Sequence, residues 1–329
     1  MQPLREQLMT RLMTAKGYVS GAEVSQDLGI SREAVWKHIR ALRREGFVIS
    51  ASPRKGYLLL NVPDVLHPWA VVPLFTGGFG RPYHYHGVLS STNDRAKELA
   101  HAGASEGTVV VTEEQTGGRG RRGRLWHSPR GGLWFSLILR PGVSPAGIHS
   151  LSLLVSLAVV QGVNDFLRIC SELKWPNDIF LGGRKAGGVL IEIGAEAEQV
   201  HYAVAGVGLN VNITSFPAEL DAAATSLRIH TGKETCRARL LGAILKTLED
   251  GYSRWCREGF GPFREEYKKR LCCLGKEVTV SDAGRLTGGV ILDVEVDGRL
   301  VLGLPDGGTL RLSGGEVTVR EGRGDDPGA

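Results

Sequence analysis

The chain has 329 residues, 42% of them hydrophobic, and a net charge of +5 at neutral pH. That length suits two or three domains with real cores. No uninterrupted apolar stretch reaches the roughly 18 residues that a spanning helix needs, and MQPLREQLMTRLM lacks a signal peptide's apolar centre, so a cytoplasmic protein without a membrane partner is expected.

Residues 1–62 hold ten Lys or Arg against five Asp or Glu, while the remaining residues hold thirty of each sign. The whole net charge therefore sits in the first part of the chain and points to a nucleic-acid partner there. The five cysteines, Cys170, Cys236, Cys256, Cys272 and Cys273, form no CxxC pair, which argues against a disulfide framework and a structural zinc site. Adjacent Cys272 and Cys273 read as reduced thiols.

Leu4, Leu8 and Leu12 recur every four residues and predict an amphipathic helix ended by Gly17. A short helix from Gly21 to Leu28, a turn at Gly29 and an N-cap at Ser31 then predict a third helix through Glu45, the spacing of a helix-turn-helix. Val35, Ile39 and Leu42 face inward, while Arg32, Trp36, Arg40 and Arg43 share another face. Phe47–Ser50 and Tyr57–Leu60, joined by Ala-Ser-Pro-Arg-Lys-Gly, read as a hairpin. The sum is a winged helix-turn-helix. Expected DNA contacts are Ser31, Arg32, Trp36, Lys37, Arg40 and Arg43 in the major groove, with Arg54 and Lys55 of the wing on phosphates. Protein contact is the alternative use of such a module. One module covers a half-site, so specific binding requires a dimer.

Beyond the Pro-marked linker around Asn61-Val-Pro-Asp and His67-Pro, Tyr83–Leu89 reads as a strand and Ser90-Ser-Thr-Asn as the start of a helix to His101, capped by Thr92 or Asn93. Thr108–Thr112 and Leu133–Leu139 are strand-like and bracket a loop, Gln115–Arg124, rich in glycine and arginine. Glycines let main-chain N–H groups approach a ligand, and guanidinium forks match phosphate or carboxylate oxygens, so the loop suits anion capture. A solvated or nucleic-acid-binding basic run is the alternative. After Pro145 a helix to Arg168 would pack Leu151, Leu154, Val155, Ala158, Val159 and Val163 on a sheet. Leu173–Ile193 reads as three strands with a Pro-Asn-Asp turn and a Gly-Gly hairpin; Lys185 opens the third, beside Gly187 and Gly188, and either reaches a cavity or is a solvated edge residue. Ala203–Asn212 is another strand in which Gly206 and Gly208 would clear room for a ligand and Asn210 forms a polar end.

Cys236–Trp255 and Phe260–Leu271 are helical by period. Glu277–Ser281, Gly289–Val296, Leu300–Leu304, Thr309–Ser313 and Glu316–Arg320 are short strands separated by glycine turns and suggest a small barrel. The tail Glu321–Ala329 is expected to be disordered.

STN at 91–93, GRGRRGR at 118–124, KWPND at 174–178, RKAGG at 184–188 and GVGLN at 206–210 together resemble the biotin protein ligases. With the winged helix in front, the chain is similar to their bifunctional type, ligase and biotin operon repressor in one. The resemblance implies a multidomain α+β fold: a winged helix-turn-helix over 1–62, a mixed-sheet, class II synthetase-like biotin ligase domain over 63–272, and an SH3-like small β-barrel with a short tail over 273–329. It implies that biotin and ATP form biotinyl-5′-AMP, with Mg²⁺, and that a lysine of a biotin carboxyl carrier protein then takes the biotinyl group. It places Ser91, Thr92, Asn93, Gln115, Gly118, Arg119, Arg121, Lys185, Gly188, Gly206 and Gly208 on the biotin side. Arg124, Trp126, Asn177, Asp178, Asn210 and Arg320 fall on the nucleotide side. Arg121 and Lys185 would stabilise charge at the carboxylate and α-phosphate, Trp126 would stack on adenine and Asp178 would hold Mg²⁺. The arginine loop would be mobile when empty and ordered over the adenylate. A ligand-dependent homodimer through the central sheet, with Val189–Ile193 as candidate edge, would bind operator DNA of biotin genes. A regulator that senses biotin without ligating it, and a lipoate or octanoate ligase, are the competing readings.

Overall fold

The computed structural model describes residues 4–143, 147–196, 199–282 and 284–319. The chain divides into two compact units, Met1–Pro73 and Leu74–Ala329.

In the first unit, α1 (Leu4–Thr14), α2 (Gly21–Leu28) and α3 (Arg32–Arg44) precede a hairpin of β1 (Val48–Ser52) and β2 (Gly56–Asn61). The Ser20 and Ser31 hydroxyls accept hydrogen bonds from the amides of Ala22 and Ala34, satisfying donors that a helix start leaves open. Gly29 adopts the left-handed conformation, φ 62°, that turns α2 into α3. Leu8, Met9, Leu12, Val24, Val35, Ile39, Leu42 and Phe47 form the core. The hairpin is tied to the α1–α2 connection by reciprocal bonds between Val19 and Tyr57, 2.7 and 2.8 Å. The unit runs past residue 62 to Pro73, because α4 (Pro68–Val71) brings the Trp69 ring to 5.5 Å from Phe47.

The second unit is built on a seven-stranded sheet in the order β3-β4-β5-β9-β8-β7-β6. Its strands are β3 (Tyr83–His86), β4 (Val109–Thr112), β5 (Leu133–Leu139), β6 (Glu172–Lys174), β7 (Asp178–Leu181), β8 (Arg184–Glu196) and β9 (Gln199–Leu209). Only β3 and β4 run parallel, linked by the crossover helix α5 (Thr92–His101), so the sheet is mixed. Every residue of β5 is buried, so both its faces are covered. On one face Ala96 and Ala100 of α5 pack on Val110, Ile138 and Val204. The cap of α5 is Ser91, whose hydroxyl accepts from Asp94 N–H at 3.4 Å, rather than Thr92 or Asn93, which become the buried first turn.

The apolar helix α6 (Ser150–Leu167) contacts β6, β7 and β8 and pairs with α9 (Arg237–Glu258). Gly162 permits that approach, since a Cβ there would lie 3.0 Å from the Ile244 Cα. Among the described residues α6 alone is long and apolar enough to cross a membrane, but 72% of it is buried inside the unit, the signature of a core helix. Strand β7 pairs with Arg184–Gly188 of β8, so among the described residues Leu190–Glu196 has a strand partner only on the β9 side. Short helices α7 (Ala218–Asp221) and α8 (Leu227–Thr231) follow β9, and α10 (Arg264–Arg270) follows α9.

The C-terminal strands β10 (Glu277–Asp282), β11 (Arg285–Val294), β12 (Leu300–Gly303), β13 (Thr309–Leu312) and β14 (Glu316–Val319) form one antiparallel sheet in the order β13-β12-β11-β10-β14. Among the described residues β13 and β14 do not pair with each other, so the sheet is open where the sequence suggested a barrel. Arg320 and the tail Glu321–Ala329 lie outside the described residues.

Candidate active site

A cavity of about 300 Å³ opens on the second unit's sheet, lined by α5, the arginine loop, the strands β7, β8 and β9, and the start of β14 in the C-terminal sheet. Strand pairing explains its floor. Gly206 and Gly208 are two apart on β9 and share a face; Gly206 lies between Ser136 and Leu190, and Gly208 between Trp134 and Gly188.

Each of these glycines admits a protein side chain. A Cβ on Gly206 would overlap the Asn93 amide, and one on Gly208 would meet the Trp126 indole. The space expected to receive a ligand at these two positions is thus filled by Asn93 and Trp126. At Gly188 a Cβ would lie 3.4 Å from Asp178 Oδ1 and 3.7 Å from Lys185 Cε. At Gly118 it would collide with Ser128, the Trp126 carbonyl and Gln115, so that glycine lets the loop close on its own base.

At the α5 end Thr92, Gln115, Ser128 and Ser136 form a linked set of neutral polar groups, backed by charged pairs. Thr92 N–H and Oγ1 donate to Gln115 Oε1 at 2.9 and 3.1 Å, and Gln115 Nε2 donates to Ser128 Oγ at 2.9 Å. Ser136 Oγ lies 2.8 Å from Thr92 Oγ1 and 2.6 Å from Asn93 Oδ1. Asn93 Nδ2 donates to Glu192 at 2.7 Å, and Lys97 meets the other oxygen of the same carboxylate at 2.7 Å. Ser136 and Glu192 were missed in the sequence, although each is the lone polar residue inside an apolar strand run.

The arginine loop is a small folded unit. Gly120 N–H donates to Arg124 C=O at 2.7 Å and Trp126 N–H to Gly118 C=O at 2.9 Å. Arg119 pairs with Asp94 at the start of α5, and Arg124 forks onto Glu316 of β14. Arg121 donates to Asn177 Oδ1 at 3.3 Å and to Gly315 C=O at 3.0 Å; burial lowers its pKa. The Trp126 indole N–H is buried with no hydrogen-bond partner among the described residues.

The hydrogen bond from Arg119 holds the Asp94 carboxyl below its ordinary pKa, and Arg124 does the same for Glu316. A depressed carboxyl stabilises the closed loop above its ordinary pKa and loses that contribution as pH falls through the lower folded value. Amide exchange across Gly117–Trp126, corrected for intrinsic rate, is therefore expected to stay flat from about pH 8 to about pH 5 and to rise below about pH 4. A rise near pH 6.5, the ordinary histidine range, would shift the tether to another group.

Lys185 Nζ lies 2.6 Å from Asp178 Oδ1 and 5.2 Å from the Trp126 ring. Its backbone bonds Ala223 and Thr225 at 2.8 and 2.9 Å, so the α7–α8 connection covers it and it is no solvated edge residue. Asn177 Nδ2 donates to Val189 C=O at 2.5 Å and Asn210 Nδ2 to Thr225 C=O at 3.0 Å. The cavity thus gathers Ser91, Thr92, Gln115, Arg119, Arg121, Arg124, Trp126, Asn177, Asp178, Lys185, Gly188 and Asn210.

In the first unit Trp36 is 45% exposed and carries the Arg40 guanidinium 4.5 Å over its ring. Arg32, Arg54 and Lys55 are exposed. Three of the expected DNA contacts have work within the fold: Ser31 caps α3, Lys37 pairs with Glu33 at 2.9 Å, and Arg43 donates to Ile49 C=O at 2.9 and 2.6 Å.

The model of the biotin/lipoate A/B protein ligase family matches residues 85–210, and that of an HTH domain matches residues 4–58. The chain belongs to the biotin/lipoate A/B protein ligase family, as an enzyme with a helix-turn-helix unit ahead of the ligase unit. It is 40% identical over 294 residues to the bifunctional ligase/repressor BirA of Bacillus subtilis (strain 168), across 88% of this chain and 90% of that one. It is 28% identical over 306 residues to BirA of Escherichia coli (strain K12), across 92% of each. The structure of biotin protein ligase from Aquifex aeolicus in complex with biotin and ATP matches at a TM-score of 0.64 and 29% identity, covering 72% of this chain and 98% of that chain.

Proposed function

We propose that the cavity holds biotin and ATP side by side, and that the chain joins them as biotinyl-5′-AMP before passing the biotinyl group to a lysine of a biotin carboxyl carrier protein. The observation that carries this reading is the division of one cavity into a neutral end and a cationic end. Ser91, Thr92 and Gln115 supply uncharged donors and acceptors suited to a ureido ring, with Asn93, Gly206 and Gly208 shaping that end from behind. Arg121 and Lys185 would stand where a carboxylate must be brought against an α-phosphate; Arg119 and Gly188 line the same cavity, and Gly118 lies at the base of the loop.

The carboxylate oxygen attacks the α-phosphorus, the bond to the β-phosphate breaks, and pyrophosphate leaves. Fixed cations reduce the repulsion between the two anions and the charge that develops between them. Arg124, Trp126, Asn177, Asp178 and Asn210 form the nucleotide side. Asp178 is a single carboxylate, and no cluster of three or more His, Cys, Asp or Glu that could hold a metal occurs among the described residues. That suits Mg²⁺, which is commonly held by one or two carboxylates together with substrate phosphates; it would neutralise phosphate charge there. The loop from Gln115 to Trp126 shields the mixed anhydride from water.

The open C-terminal sheet is read as the family's SH3-like module and the central sheet as class II synthetase-like. The strand edge Leu190–Glu196 is the candidate surface for a homodimer and for the carrier domain, and the dimer would place two α3 helices on operator DNA of biotin genes. The setting is cytoplasmic.

Purified protein is expected to catalyse biotin-dependent exchange of pyrophosphate into ATP and to label a carrier domain with biotin. Exchange supported by lipoate but not biotin, or biotin binding without exchange, would select one of the competing readings. On DNA, Arg40→Ala is expected to weaken operator binding and to reduce the slope of log K against log salt by about 1 if Arg40 contacts a phosphate. An unchanged slope and affinity would remove α3 from the interface.

A further inference from the structure

Glu192 is not among the residues that line the cavity, yet the side chains that shape its neutral end are anchored on this one carboxylate. It lies on β8 opposite Val204 of β9, two residues beyond Leu190, which pairs with Gly206 at the cavity floor. Residues two apart on a strand share a face, so its side chain rises beside the floor toward α5. Asn93 and Lys97, one helical turn apart on α5, reach it together. Asn93 Nδ2 donates to Oε2 and Lys97 Nζ to Oε1, each at 2.7 Å. Lys97 is held in turn by Asp94 at 3.1 Å. One carboxylate therefore sets the register against the sheet of the first turn of α5, the turn that brings Thr92 into the cavity.

The contact also decides which way the Asn93 amide points. A carboxylate accepts hydrogen bonds and cannot donate them, so Asn93 turns its Nδ2 to Glu192 and its Oδ1 inward. There Ser136 Oγ lies 2.6 Å from Asn93 Oδ1 and 2.8 Å from Thr92 Oγ1, while Thr92 N–H donates to Gln115 Oε1 at 2.9 Å. Asn93 is only 6% exposed and Ser136 is fully buried, so bulk water does not replace a partner lost there. We propose that Glu192 is a positioning residue for biotin: it sets Asn93, and through Asn93 and Ser136 it sets the Thr92 groups that meet the ureido ring. This role rests on the ligase reading of the cavity. The nucleotide side is anchored on other elements, Arg124 by Glu316 of β14 and Asn177 by Val189 C=O. Loss of the Glu192 carboxylate should therefore be felt by biotin and not by ATP.

The test compares biotin affinity by calorimetry with the KM for ATP in pyrophosphate exchange, on the full chain and its variants. Glu192→Ala is expected to weaken biotin binding roughly tenfold, as for a lost hydrogen bond to a charged group, with the KM for ATP kept within about twofold. Amide exchange at Thr92 should quicken as the bond to Gln115 loosens. Glu192→Gln should restore most of the affinity, because its amide oxygen still accepts from Asn93. Asn93→Asp sets two carboxylates face to face and should weaken biotin more than Glu192→Ala does; adding Glu192→Gln supplies a donor across that gap and should recover part of the loss. Unchanged biotin affinity in Glu192→Ala, a Glu192→Gln protein no better than Glu192→Ala, or equal weakening of biotin and ATP overturns the proposal, the last because a carboxylate that merely fastens α5 to the sheet affects both substrates alike. If the unaltered protein neither bound biotin nor exchanged pyrophosphate, the ligase reading would fail instead. Amide exchange would then still report on the first turn of α5, and an unchanged Thr92 rate in Glu192→Ala would overturn its positioning by Glu192.

Discussion

Lys185→Met is expected to slow biotin-dependent ATP–pyrophosphate exchange by roughly 10²–10³-fold, the loss seen when one preorganised donor is removed from a developing anion. The effect should fall on kcat, because a cation that acts between carboxylate and α-phosphate matters most once charge builds there. Stability should hardly move. The Lys185 side chain is 34% exposed and its pair with Asp178 is 26% exposed on the acid side, and ion pairs of that exposure contribute about 0–1 kcal/mol. Lys185→Arg is an informative companion, since it keeps the charge but changes reach and planarity. A merely structural lysine predicts the opposite split: a lower Tm with kcat intact. That outcome, in single-turnover adenylate formation alongside calorimetry, would withdraw the role assigned to Lys185.

The features that the sequence disclosed are those set by neighbours in the chain. The first unit's helices follow from an apolar repeat and from serine caps acting within three residues, and Leu133–Leu139 is a strand over the same residues that its composition marks. The arginine loop was legible because glycine and arginine are packed into one short segment. What escaped depended on distant partners. Ser91, Thr92 and Asn93 are all competent caps; Ser91 takes the role while Gln115, twenty-three residues on, accepts from Thr92. Gly206 and Gly208 mark close approach, but only the fold shows that Asn93 and Trp126 are what approach them. The extension of the first unit to Pro73 rests on Trp69 meeting Phe47, and the openness of the C-terminal sheet on which strands end up as edges.

The loop's tethers show how the C-terminal sheet bears on the site. Arg121 reaches Gly315, Arg122 reaches Ser281 and Arg124 reaches Glu316, so three of the loop's four arginines are held by β10, β14 or the turn between β13 and β14. The fourth, Arg119, is held by α5. Helix and C-terminal sheet therefore hold the loop together.

The largest loss of stability is expected from Arg237→Met, about 3–5 kcal/mol. Arg237, the first residue of α9, donates to Glu113 at 2.8 Å and to Gly132 C=O at 2.8 Å, with the two side chains only 4% and 7% exposed. Glu113 follows β4 and Gly132 precedes β5, so one guanidinium joins a helix start to both roots of the segment that carries the arginine loop. Without it, a carboxylate stays buried with this counter-charge gone, and its desolvation is less fully compensated. At roughly 2–4 °C per kcal/mol for a domain of this size, Tm should fall by about 10 °C. Glu113→Gln added to Arg237→Met should recover part of the loss, because the amide no longer buries a charge. Calorimetry of the three proteins decides the matter: a double variant no better than the single one would mean that the arginine acts through packing and not through its charge.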